Sequence, residues 1–173
     1  ELLTKQVWDS RNWLALVVLM RNTIFGRLWF ILELSFARRA TIQCGIDSIP
    51  WTQFADVVAL FETNLNAIRK SCGLSLNAEG GLPQQILPVV KILKKLSYLV
   101  RKTSDGTVIH RNLDLDKLVS KTSHFEATDP RDTIYAVFGL ARDLTNISFA
   151  IDYNREPLDV FTDFVAYSIQ STG

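Results

Sequence analysis

Apolar residues recur at three- and four-residue spacing along most of this chain and alternate in only one short stretch. Leu3, Val7, Leu14 and Val18 lie near one stripe, and "WLALVVLM" at 13–20 is apolar all round, so the pattern predicts a helix over 2–21. Asn22 and Thr23 interrupt it. A second helix is predicted over 27–37, with Leu28, Ile31, Leu32 and Leu34 as its apolar positions. "ATIQC", 40–44, alternates and predicts a strand. Gly45 and Asp47-Ser48 supply turn chemistry after it, and Ile49 could return as one short partner residue. Pro50 then opens a helix carrying Trp51, Phe54, Val58, Phe61 and Leu65.

"CGLSLNAEGGLP", 72–83, reads as a loop because its glycines and proline break any period. Ile86, Val89, Val90, Leu93, Leu96 and Val100 form the next amphipathic pattern, with Pro88 either in its first turn or kinking it. "KTSDGTVIH", 102–110, reads as another loop. Asn112 suits the N-cap of a helix through Leu115, Leu118 and Val119. A last helix starts near Pro157, with Leu158, Phe161, Phe164, Val165 and Ser168 on one face as its expected core stripe. The fold class expected is mainly α with one or two short strands around 40–44.

Composition narrows the function classes. Of 173 residues, 47% are hydrophobic and 21% charged, which is enough apolar material to bury a core. The net charge of +1 argues against nucleic acid or an anionic membrane as a general partner. The eight-residue apolar run at 13–20 rises only about 12 Å as a helix, short of a bilayer core of roughly 30 Å. No signal peptide is visible, and a cytoplasmic location is expected. Cys44 and Cys72 cannot build a disulfide framework or a four-ligand zinc site, and are expected to behave as small buried hydrophobes. The first residue is Glu1 and the last four are "QSTG", which suggests a piece of something longer.

The densest chemistry lies in "TDPRDTIYAVFGL", 128–140. Asp129 is a strong N-cap type, Pro130 fits the first helical position, and Asp132 stands at the third, where an acid favours the helix dipole. Ile134, Val137, Phe138 and Leu140 then face a core. Arg131 is least explained by helix-start physics. Its guanidinium could fork onto a carboxylate of a neighbouring segment and fix two elements together. Glu33 is a single acid on the apolar helix "RLWFILEL", either exposed or paired in the interior. His110 and His124 have no metal-binding spacing. Lys91, Lys94, Lys95, Arg101 and Lys102 form a basic cluster that reads as a solvated face, because no aromatics interleave it for base stacking.

Four stretches carry a family resemblance. "FEATDPRDTIYAVFGLARD", 125–143, resembles the hallmark A-T-D-P-R-D-x-I-Y-A-L-L-G-L of fungal heterokaryon-incompatibility (HET) domain proteins. "FGRLWFILELSFARRATIQCG", 25–45, is similar to the family's W-F-x-R-x-W-x-x-Q-E segment and the A-R-x-A-x-x-x-C-G after it. Arg27, Trp29 and Glu33 fit its Arg, Trp and Glu; Ile24 and Leu32 stand where Trp and Gln are usual. "IPWTQFADVV", 49–58, and "IDYNREPLDVFTDFVAYSI", 151–169, resemble later blocks. The blocks resembling L-S-Y-x-W-G and W-I-D-x-x-C-I-N-Q, which precede these in the family and supply core strands, are not in the chain.

The resemblance implies a C-terminal fragment of an α/β, TIR-like HET domain over 1–62, and over 63–173 a helical region containing the DPRD segment. It implies a part in fungal allorecognition and programmed cell death, with no activity of the fragment by itself. The partners implied are the missing N-terminal part of its own domain and other incompatibility proteins; no nucleic acid, membrane, metal or cofactor is implied. Arg27, Trp29, Asp129, Pro130, Arg131, Asp132 and Tyr135 would then be a structural motif. A second implication is enzymatic. "RLWFILEL" is similar to the TIR pattern S-x-W-C-x-x-E-L, which makes Glu33 the candidate catalytic carboxylate of an NAD-cleaving full-length parent, with NAD as substrate. A carboxylate there would stabilise positive charge developing on the ribose. An exposed apolar face is expected where the absent sheet would pack.

Overall fold

A computed structural model describes residues 10–72, 86–143 and 150–172. The described chain is mainly helical with two small antiparallel hairpins. It divides into two compact units that interleave in sequence. One contains the described residues up to Phe25 with Arg39–Leu93; the other contains Gly26–Arg38 with the described residues from Lys94 onward. Each unit therefore draws on both sides of residue 62.

The first unit opens with α1 (Ser10–Met20), the described part of the helix expected over 2–21. Its Trp13, Val17 and Met20 are buried, whereas Leu14 and Val18 are exposed. Strands β1 (Thr41–Cys44) and β2 (Asp47–Pro50) pair in the register Thr41↔Pro50 to Cys44↔Asp47. The return strand is thus four residues, not the single Ile49. Gly45, at φ +61°, makes the tight two-residue connection possible. Cys44 is exposed at the end of β1, not buried as its residue type suggested; the Cys72 side chain lies outside the described residues. α3 (Trp51–Thr63) begins directly after Pro50, and α4 (Leu65–Cys72) follows Asn64. Phe54, Val58, Phe61 and Leu65 are buried as the helical spacing predicts, Trp51 is half-buried, and Ile68 adds to the core. The Phe25 and Phe54 rings stack with centroids 5.7 Å apart, and Trp13 meets Phe61 at 5.8 Å. The loop expected at 72–83 lies almost wholly outside the described residues.

The second unit is built on α2 (Leu28–Phe36), which buries Leu28, Ile31, Leu32, Leu34 and Ser35. Its start is pinned by backbone: Leu28 N–H donates to Glu126 O at 2.9 Å, and Glu126 N–H to Gly26 O at 2.8 Å. Its last turn is closed by Lys102, whose Nζ donates to the carbonyls of Leu34 (2.7 Å) and Ala37 (2.8 Å). A cation at a helix C-terminus meets orphan carbonyls and the negative end of the dipole. Lys102 is therefore a structural cap, not a member of a solvated basic face, while Lys91, Lys94 and Arg101 are exposed.

α5 (Leu87–Leu99) holds Pro88 as its second residue, so the proline sits in the first turn. The stretch expected as a loop at 102–110 lies instead largely within a hairpin, β3 (Val100–Lys102) with β4 (Val108–Arg111). Strands of three and four residues are too short for a period-2 signal to rise above their Thr-Ser-Asp-Gly turn. Gly106, at φ +84°, packs so tightly that a Cβ there would lie 2.2 Å from Arg38 O.

α6 (Leu115–Thr122) buries Leu115, Leu118 and Val119 as expected. Asn112 does not cap it: its side chain donates to Tyr98 O at 3.1 Å. The cap comes from 28 residues later, where Asp143 Oδ1 accepts from Leu115 N–H at 3.0 Å. Asp114, at the N-cap position, turns its carboxylate to Arg142, which forks onto it at 2.9 and 2.7 Å. α7 (Asp132–Tyr135) is a single turn, followed by a 3-10 turn at Phe138–Leu140. The apolar run after DPRD is thus two short turns, not one helix. Ile134, Val137 and Leu140 are still buried, and Phe138 is half-buried.

α8 (Pro157–Thr172) departs most from its sequence pattern. Its buried residues are Val160 and Tyr167, while Leu158 and Val165 of the expected core stripe are exposed. On the buried side the Tyr167 hydroxyl meets Asp143, and Val160 is fully enclosed.

Candidate functional site

The residues singled out in 128–140 meet α2 and the 151–155 segment around one carboxylate. Asp132 is 7% exposed. Its Oδ2 accepts from the Trp29 indole Nε1–H at 3.0 Å, and its Oδ1 from the Tyr153 hydroxyl at 2.5 Å. A buried carboxylate is costly to leave unpartnered, and here both oxygens are satisfied by neutral donors. Three segments far apart in sequence are thereby tied at one point. Asp132 was expected only to favour the helix dipole; its larger part is this junction.

Asp129 was expected as the N-cap, but the N-cap position of α7 is Arg131, without a side-chain cap, and Asp129 braces the turn that leads in. Its Oδ1 accepts from Arg131 N–H at 2.9 Å, and its carbonyl accepts from Asp132 N–H at 3.0 Å. Pro130 lies in that turn, before the first residue of α7, and is exposed. Arg131 does fork onto a carboxylate, but the local one: Nε to Asp129 Oδ1 at 2.9 Å and Nη2 to Asp129 Oδ2 at 2.7 Å. Its remaining nitrogen, Nη1, links the segments by donating to the carbonyls of Tyr153 and, at 2.8 Å, Arg155. The guanidinium also lies 5.4 Å from the Tyr153 ring centroid. Tyr135 donates to Asp152 O at 3.2 Å and meets the Tyr153 ring edge-on at 5.3 Å. Arg155 pairs in turn with Asp163 on α8.

The electrostatics follow from these contacts. The Arg131 guanidinium holds the Asp129 carboxyl below its ordinary range, and Asp129 raises Arg131 reciprocally. Tyr153 is 45% exposed as a residue, but its hydroxyl end points at buried Asp132. Loss of water there, followed by the hydrogen bond and charge of Asp132, pushes the phenol up to about 12. These shifts favour the protonation states in which Asp129, Arg131 and Tyr153 make their hydrogen bonds.

The other sequence candidates lie apart from this junction. Arg27 precedes α2 in extended conformation, and its side chain is exposed. Glu33 is exposed one turn beyond Trp29 on α2. His110 lies on β4 opposite Arg101, and His124 rests its ring on Phe125. Two surface cavities of about 380 and 370 Å³ occur in this unit. The first is bordered by Asp114, Asp116, Asp143 and Tyr167, the second by Phe36, His110, Arg111 and Arg142. Glu33 lines neither. Among the described residues no three His, Cys, Asp or Glu side chains are placed to hold a metal, and no helix is long and apolar enough to cross a membrane.

Tyr153, Asp143 and Lys102 are the structural residues that the sequence reading left without a role. Tyr153 stands inside a stretch that carries the resemblance, so a polar-tipped aromatic there was a usable signal. Asp143 and Lys102 act across 28 and 65 or more residues, which local spacing does not encode. In comparisons with known proteins, no family model, curated protein or solved structure matches the chain.

Proposed function

We propose that this chain is the C-terminal part of a HET domain with the helical region that follows it, a piece of a fungal allorecognition protein that triggers cell death when incompatible individuals fuse. The observation that carries the reading is the convergence at Asp132. Trp29, the DPRD residues and Tyr153 come from three stretches that resemble the family, and they meet in one polar junction. On this reading the signature is a clasp that holds the HET core to downstream helices. Its partner is the upstream part of its own domain. The exposed Leu14 and Val18 on α1, and Val57 and Leu60 on α3, are apolar surface for that sheet to cover.

The test is expression of the full-length parent in a fungal host, beside its Arg131→Ala variant. The reading expects impaired growth or survival after fusion with the wild type and a weakened effect with the variant. A wild type that never alters either contradicts it. The enzymatic alternative is NAD cleavage by the parent; Glu33 is exposed and lines neither cavity, which weighs against it. Equal nicotinamide release by the parent and its Glu33→Ala variant would remove Glu33 from that role.

A further inference from the structure

The two cavities of the second unit are nearly equal in size and opposite in chemistry. The first is bordered by Asp114, Asp116 and Asp143, beside Lys117. The second, of about 370 Å³, is lined by Phe36, Val108, Ile109, His110, Arg111 and Arg142. No described carboxylate lines it. Two guanidinium groups and an apolar wall thus share one concavity.

The fold holds these parts in place. Arg111 donates from Nε to Gly139 O at 2.9 Å, while its Nη1 and Nη2 engage no described residue. Arg142 commits Nε and Nη2 to Asp114, which borders the first cavity, so Nη1 is left over. Gly139 also seats the aromatic wall: a Cβ there would lie 3.4 Å from Phe36 Cζ. One glycine therefore anchors Arg111 by its carbonyl and gives the Phe36 ring room to lie close. Phe36 and Ile109 remain 45% and 56% exposed.

We propose that this cavity binds a small amphiphilic anion. Its carboxylate or phosphate head is held by the free nitrogens of Arg111 and Arg142, and its aromatic or aliphatic body lies against Phe36 and Ile109. A guanidinium anchored at one edge presents its remaining N–H groups in a fixed fork, which matches carboxylate and phosphate oxygens. Apolar walls with a few convergent polar groups are the usual make-up of a ligand site, and the volume lies near the lower end of their roughly 300–1,000 Å³. The ligand is accordingly about the size of one or two rings.

The probes are naphthoate, naphthyl phosphate, naphthylmethanol and inorganic phosphate, titrated into the whole chain by calorimetry. At least one of the two aromatic anions is expected to bind with a Kd on the order of 1 mM or tighter. The tighter of the two identifies the head group. The neutral alcohol, which lacks the charge, and inorganic phosphate, which lacks the body, are each expected to bind at least tenfold more weakly. Arg111→Gln is expected to weaken the anion at least tenfold, and Lys91→Gln, at an exposed basic position outside the cavity, to leave it unchanged. In the unaltered chain the backbone amide NMR signals of Ile109 and Arg111 should shift on titration, and those of Asp116 and Gln170 should not. No binding of either aromatic anion up to about 10 mM, equal binding of the alcohol, or amide shifts that leave Ile109 and Arg111 untouched would each overturn the proposal. Wild-type affinity in a folded Arg111→Gln chain would do so as well.

Discussion

In the first unit the Phe25 and Phe54 rings stack, Trp13 leans on Phe61, and aliphatic side chains fill the remaining core. In the second unit a buried carboxylate takes an indole N–H and a phenol O–H, an arginine spans two backbone carbonyls, and a lysine closes a helix end. Helical periodicity brings most of the first set together, with Phe25 added from a 3-10 turn, because burial is non-directional. The second set needs donors and acceptors placed within a few tenths of an ångström, so it fixes which segments meet and in what register. The difference teaches which contacts fix the pairing of segments: the DPRD residues with a traceable role lie in the directional unit.

The comparison can be broken first at its apolar side. Phe54→Ala removes a fully buried ring and is expected to cost about 3–5 kcal/mol, read as a lower urea midpoint. On the polar side Asp132→Ala leaves the Trp29 and Tyr153 donors facing a void, at about 1–3 kcal/mol. If the Asp132 change proves harmless, the junction is ornament and the two units do not differ as described.

Smaller effects sharpen the picture. Gly106→Ala would push a Cβ into the Arg38 carbonyl, in a φ region that alanine resists. A loss of about 1–3 kcal/mol is expected, with β3–β4 losing protection from hydrogen exchange before the first unit does. Tyr153 gives a pH signature. Its folded-state value of about 12 stands above the ordinary 10.0, so the folded chain holds that proton more tightly. The associated stability is whole below pH 10 and is lost as pH rises from about 10 to about 12. Tyr153→Phe should remove that alkaline slope. Asp129 has the opposite sign. Its lowered value makes the Arg131 contact fully stabilising above the ordinary 3.8 and progressively lost as pH falls below it. Asp129→Asn should flatten the acid limb by lowering the neutral-pH midpoint toward its acid value.

Much of this fold was legible along the chain. Phe54, Val58, Phe61, Leu118 and Ile134 are buried where three- and four-residue spacing put them, whereas the first helix buries Trp13 and Val17 and exposes Leu14 and Val18 of its expected stripe. Asp129 binds the turn before α7, although the N-cap itself falls at Arg131. What escaped was long-range and directional. The cap of α6 comes from Asp143 and not Asn112, because a carboxylate brought in by the fold displaced the local candidate. The stripe of α8 was placed facing inward because periodicity shows that an apolar face exists, not which way it turns. The β3–β4 hairpin was missed because its strands are shorter than the period needed to see them.

The most direct test of the clasp is a double-mutant cycle between Trp29 and Asp132, positions 103 residues apart joined by one 3.0 Å bond. Urea unfolding of Trp29→Phe, Asp132→Ala and the double variant gives their coupling. The account predicts a coupling of about 0.5–3 kcal/mol, as for residues in one hydrogen-bond network. Losses that simply add, to within about 0.5 kcal/mol, would contradict it.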